Sequence, residues 1–182
     1  MARIPYVDPE TASPAVQDAF AQLPVKLNIF KLVAHAETSL RPFLRFGGAI
    51  LGKQKLSGKL RELAILRVSR LSHAEYEWVQ HVPIAKMVGA TDLQIEALAR
   101  DDASAACFDE TERLVLRFTD EVVRDVGVSE PTFRALAAKL SPQELVELVL
   151  AIGFYMTVAR VMETFAIDLD PPAGEKVVGS IR

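Results

Sequence analysis

Two carboxylates and an imidazole stand at spacings that a pair of helices can gather into one place: Glu62, then Glu77 and His81. A helix turns about 100° per residue, so Glu77 and His81, four apart, lie on one face within contact range. In the helix expected after Ser72, that face reads Ala74, Glu77, Trp78, His81 and Ala85, with Tyr76 beside it. Burying charge is costly unless it is paired. An inward carboxylate beside an imidazole therefore fixes one ring nitrogen in a defined role and frees the other to take or give a proton. Two plainer readings stand next to this one. Glu77 and His81 can form an ordinary surface ion pair, worth under ~1 kcal/mol. His73, Glu77 and His81 also fall at i, i+4 and i+8, but the order is not His-Glu-x-x-His and the span turns the face by about 80°, so no metal is expected.

The elements that must position these groups are all helical. No stretch shows sustained alternation bounded by turn pairs, so no strand is expected. Ser13-Pro14 opens a first helix to Leu23, Asn28 caps a second, and an apolar helix runs from about Ser39 to Leu51. Ser57 caps a helix from Gly58 to Leu71 whose stripe is Leu63, Leu66 and Val68, with Glu62 at the stripe's edge and Arg61 next to it. Ser72-His73-Ala74-Glu75 fits a capping box, and that helix should end at Gly89. A fold-back at Ser72 would bring Glu62 towards His81, and Pro83 would leave the Val79 carbonyl without its helical partner. Thr91 with Gln94, Asp109 with Glu112, and Ser141 with Glu144 repeat the capping pattern. Gly127 should close the helix begun near Glu110. A last helix spans about Pro142 to Ile167, inside which Tyr155 reads as core and Arg160 as a snorkelling arginine able to meet an anion. A faint echo between Glu62-Leu63 and Glu144-Leu145 suggests a duplicated helical hairpin. The tail 169–182 reads as a loop, which leaves a single all-α domain with its core at about 13–168.

Composition narrows the functions. The chain has 182 residues, half of them hydrophobic, and a formal net charge of −3 with unclustered Lys and Arg, so nucleic acid is not an expected partner. No apolar run reaches the roughly 18 residues of a membrane span, and the start lacks an apolar signal core, so a cytoplasmic protein without a membrane partner is expected. Cys107 is the single cysteine, which excludes disulfides and two-thiol redox chemistry. His35 reads as a surface or interface histidine.

The run Leu56-Ser57-Gly58-Lys59-Leu60-Arg61-Glu62-Leu63-Ala64-Ile65-Leu66, followed by Tyr76-Glu77-Trp78-Val79-Gln80-His81, resembles the carboxymuconolactone decarboxylase family, which shares the alkylhydroperoxidase-like helical-bundle fold. The likeness extends to Asn28–His35 and Asp109–Asp168. In the peroxidase branch the motif holds a glutamate, two cysteines and a histidine. The glutamate and histidine match Glu62 and His81, while the cysteine positions fall on Ala74 and Glu77, so both thiols are absent. The resemblance therefore implies the branch that removes CO2 without a cofactor, acting on a lactone acid of aromatic catabolism. It casts His81 as general acid/base, Glu62 as its relay, Glu77 as tuning its charge, Tyr76 and Trp78 as pocket walls, and Arg61 or Arg160 as holding a carboxylate. A negative Glu77 would oppose an anionic substrate, which leaves room for a neutral substrate or for a scaffold that has lost its chemistry. The resemblance also implies a homotrimer or homohexamer, for which Phe43, Phe46, Ile50 and Leu51 offer a face.

Overall fold

The computed structural model describes residues 1–180. Its elements are α1 (Pro14–Ala21), α2 (Asn28–Val33), α3 (Glu37–Gly52), α4 (Gly58–Leu71), α5 (Glu75–Met87), α6 (Asp92–Ala99), α7 (Glu110–Asp125), α8 (Glu130–Ala137), α9 (Pro142–Phe165) and α10 (Gly174–Gly179), with no strand among the described residues. The all-helical expectation holds.

α4 is the axis of the bundle, packed by α5, α7 and α9. Every residue from Arg61 to Ser69 is buried. Ala64, Ile65 and Val68 face one apolar core, built with α9, and Leu63 and Leu66 face a second, built with Ala85, Ile95, Leu98, Phe108 and Leu116. A helix wrapped on all sides has no polar face, so its charged residues need partners inside. Arg67 finds Asp120, at 2.8 Å, and Asp101. Arg61 and Glu62 find each other. Glu62 is thus fully buried, not at the edge of a stripe as the spacing predicts, because neighbours cover both flanks.

The three capping boxes at Thr91, Asp109 and Ser141 form as expected. The one at Ser72 does not. Ser72 is the last cap of α4, His73 takes a left-handed φ of 54°, and Ala74 precedes α5 with no side-chain cap. The tight reversal consumes the residues that a capping box would use. Asn28 lies inside α2 rather than before it, its backbone N–H donating to Asp170 at 2.6 Å. Gly89 ends α5 with φ 99°, but α7 is closed by Val126 at φ 66° rather than by Gly127.

The tail is the largest departure. Residues 169–180 are not a free loop: they include α10, which packs on α5 and α3. Gln80 donates to the carbonyls of Asp170 and Pro171 and accepts from the Ala173 N–H at 2.9 Å. Gly174 sits so close that a Cβ there would lie 2.3 Å from the Gln80 carbonyl oxygen. That approach requires glycine.

α9 has 24 residues and a mean hydropathy of 1.8 over its most apolar window, so by length and composition alone it could cross a membrane. In the fold, 44% of that window is buried. One face, including Leu148, Ala151, Ile152 and Tyr155, lies in the core; Val146, Val149 and Leu150 lie outside.

Candidate active site

The reversal between α4 and α5 brings Glu62 to His81: the ring Nδ1 lies 2.8 Å from Glu62 Oε2. Glu62 Oε1 accepts from Arg61 Nε at 2.9 Å. Because the Arg61 guanidinium takes the other oxygen, Glu62 Oε2 serves as acceptor and His81 Nδ1–H as donor. Nε2 is then the nitrogen free for chemistry. Tyr155 of α9 meets His81 edge-on, ring centroids 4.7 Å apart, and fixes the tilt of the imidazole.

Glu77 lies one turn before His81 and is buried. Neither of its carboxyl oxygens has a hydrogen-bond partner among the described residues. Burial, and then the negative charge of Glu62, hold its carboxyl well above the usual carboxylate range. This favours the protonated form, with an O–H to offer, over the negative charge that the sequence implies. Tyr155 is pushed up by burial and then by the negative charge of Glu62, so it too keeps its proton.

Glu77, His81 and Tyr155 border a cavity of about 340 Å³ lined by α3, α5, α9, α10 and the α1–α2 segment, with Glu62 behind His81 and outside the lining. Tyr76, Glu77, Gln80 and His81 all line it from α5. Within that quartet, Glu77 and His81 are the titratable groups one turn apart, while Tyr76 and Gln80 clasp the tail. The Tyr76 hydroxyl donates to Asp170, and burial together with that carboxylate pushes its own titration up.

Of the seven residues that the sequence singles out, Glu62, Glu77, His81 and Tyr76 come together. Trp78 does not. It points across α5 into the second core, with the Arg70 guanidinium 5.4 Å from its ring centroid. It follows Glu77 by about 100°, enough to cross to the other buried side of a helix packed on two faces. Arg61 is absent from the lining because it is engaged by Glu62 and the Ile50 carbonyl. Arg160 is exposed and donates to the Met156 carbonyl of its own helix. Ile50 is core, and Phe43 and Leu51 line the cavity rather than forming an outer face. The sequence pattern marks Tyr155 as core alone and passes over Gln80 and Phe154. Their only signal is an aromatic pair inside a long apolar helix and a glutamine one turn after Tyr76. Cys107 lies outside the cavity, packed against the second core. Among the described residues no group of three or more His, Cys, Asp or Glu is gathered as a metal would require.

The chain is an all-helical bundle that seats a carboxylate–imidazole pair beside a cavity, and its fold is alkylhydroperoxidase-like. Residues 37–121, which carry Glu62, Glu77 and His81, match the model of the Carboxymuconolactone decarboxylase family. No curated protein matches the sequence. The fold is that of an uncharacterized peroxidase-related protein with an alkylhydroperoxidase AhpD core from Ralstonia eutropha JMP134: TM-score 0.79, 19% identity, over 93% of this chain and 92% of that one. A peroxidase-related protein from Silicibacter sp. TM1040 is similar at TM-score 0.74 and 21% identity, over 97% and 95%. So is a debrominase, Bmp8, in complex with 2,3,4-tribromopyrrole, at TM-score 0.72 and 16% identity, over 93% and 92%. At these identities the likeness is one of fold.

Proposed function

We propose that the cavity carries out cofactor-independent proton transfer, as a decarboxylase or related lyase acting on a small organic acid or lactone. The observation that carries this reading is the pairing, in one secluded hollow, of a neutral buried acid, Glu77, with an imidazole oriented by Glu62. In a decarboxylation, the C–C bond to the departing carboxylate breaks and its electron pair moves into an adjacent carbonyl, giving an enolate. The Glu77 O–H donates a hydrogen bond to the oxygen where that charge collects. His81, when protonated on both nitrogens, delivers the Nε2 proton to the carbon and regains one from water, while Glu62 stabilises the imidazolium through Nδ1–H. Arg61 compensates Glu62 from outside the cavity.

Thiol peroxidase chemistry is disfavoured by Ala74 and Glu77 at the two positions where that branch of the family carries cysteine. A scaffold that has shed its chemistry would have no use for a buried carboxyl facing a cavity without a partner, a group that costs stability. The reading extends to a cytoplasmic homo-oligomer, a trimer or hexamer, supported by the outward apolar residues Val146, Val149 and Leu150 of α9 with Phe46 of α3.

The test is turnover of a panel of lactone acids and related intermediates of aromatic breakdown by His81→Ala, Glu62→Gln and Glu77→Gln variants. Losses of about 10²–10⁴-fold for His81→Ala are expected for a displaced general acid. Unchanged turnover in all three would remove the assignment.

A further inference from the structure

The cavity is chemically graded. At its inner end stand His81 and Glu77. From there a chain of rings runs outward: His81 to Tyr155 at 4.7 Å between centroids, Tyr155 to Phe154 at 5.4 Å, and Phe154 to Phe43 at 5.0 Å, all four lining the space. Opposite the Phe154 ring, α3 presents Gly47, where a Cβ would lie 3.0 Å from the ring edge, and then Gly48. Gly47 lets the Phe154 ring pack close against the α3 backbone, and the rings meet at interplanar angles of 84°, 88° and 40°, so this wall is aromatic and apolar with edges as well as faces turned to its neighbours. At the exposed end, one turn apart on α3, Arg41 and Arg45 line the cavity. Among the described lining residues they are the only lysine or arginine side chains. Arg41 has a loose exposed pairing with Asp18 at 3.6 Å, which solvent screens and a ligand can replace.

We infer that this site takes an amphipathic acid: an apolar, ring-containing body along the Phe43–Phe154–Tyr155 wall, with an anionic group held at the mouth by Arg41 and Arg45. The anion at the mouth is a handle, separate from the group that reacts beside Glu77 and His81. Binding at a distance from the reacting centre is how substrate affinity is converted into orientation there. This assignment rests on reading the cavity as the substrate site. It replaces Arg61 and Arg160 as the carboxylate holders with two residues from a different helix.

The probe pair is 2-naphthoate and its neutral isostere 2-naphthamide, titrated calorimetrically against the full chain. Naphthoate should bind roughly fivefold tighter at low salt, as two partly exposed cations contribute together, and the gap should close as salt rises. In the Arg41→Gln/Arg45→Gln double variant the two probes should bind within about twofold of each other, the scale of a lost surface pairing. Both arginines are exposed, and an unchanged melting temperature verifies that the variant folds. Equal affinity for the two probes in the parent chain overturns the inference, as does a preference that survives in the double variant or a failure of both probes to bind. Glu77→Gln should leave the preference in place. Loss of the preference with turnover still dependent on His81 would sink the substrate class alone. A retained preference with turnover indifferent to His81 would sink the catalytic reading alone.

Discussion

Glu77 occupies a position where a carboxyl group is expensive, and its cost depends on pH in a definite direction. Its pKa is raised in the folded chain, so the folded state holds a proton that the unfolded chain releases above the ordinary glutamate range of about 4.3. Stability contributed by this group is present below that range and declines as pH rises towards the folded pKa, by up to about 1.4 kcal/mol per pH unit. Glu77→Gln, which keeps the shape and cannot ionise, should therefore be more stable than the parent at neutral pH, with the gap widening from about pH 5 upwards. Urea melts across that range give the answer; parallel curves would mean that Glu77 is ionised or solvated in the fold. Residue type and helical spacing are enough to single out Glu62, Glu77 and His81. Their protonation states are not legible in the same way, because burial and the distance to Glu62 set them.

At the scale of elements, α5 divides its work between chemistry and closure. Its contact with the tail is tight enough to be broken by one methyl group. Gly174→Ala places a Cβ 2.3 Å from the Gln80 carbonyl oxygen, against backbone rather than a side chain that could swing aside. Overpacking of this kind costs about 1–3 kcal/mol. α10 should release, read as faster proteolysis after Asp168 and stronger binding of an apolar dye to the opened cavity. Val126 offers a cleaner measurement. A β-branched residue sits at φ 66° with 90% of its surface exposed, so Val126→Gly relieves strain and loses almost no packing. A gain of about 1 kcal/mol is expected in chemical denaturation. Most helix starts follow from capping signals, because caps are local hydrogen bonds. The docked tail does not follow, because it is fixed by Tyr76 and Gln80, distant in sequence, and the box at Ser72 fails because the tight reversal there uses its residues.

For the whole molecule, the question is what covers the outward face of α9. Val146, Val149 and Leu150 are 59, 42 and 43% exposed and belong to one continuous helical surface. Self-association buries such a surface, as contiguous exposed apolar patches usually mark contacts. A Val149→Glu/Leu150→Glu variant should lower the particle mass measured by light scattering at micromolar concentration, with the cavity's probe binding retained. A parent chain that already runs as a stable monomer would end the oligomer proposal.

Local propensity, composition and periodicity carry the helical character of the chain, the starts of most helices, the missing pair of redox thiols, and the acid and imidazole that the fold brings into contact. Each of these is settled within a turn or two of chain. Folding in three dimensions is what wraps Glu62 on every side, turns Trp78 away and Tyr155 in, shuts the cavity with the tail, and stands Arg41 and Arg45 at its mouth. Burial and electrostatics depend on what lies across a gap in space. That partner is found dozens of residues away, at a separation no pattern along the chain encodes.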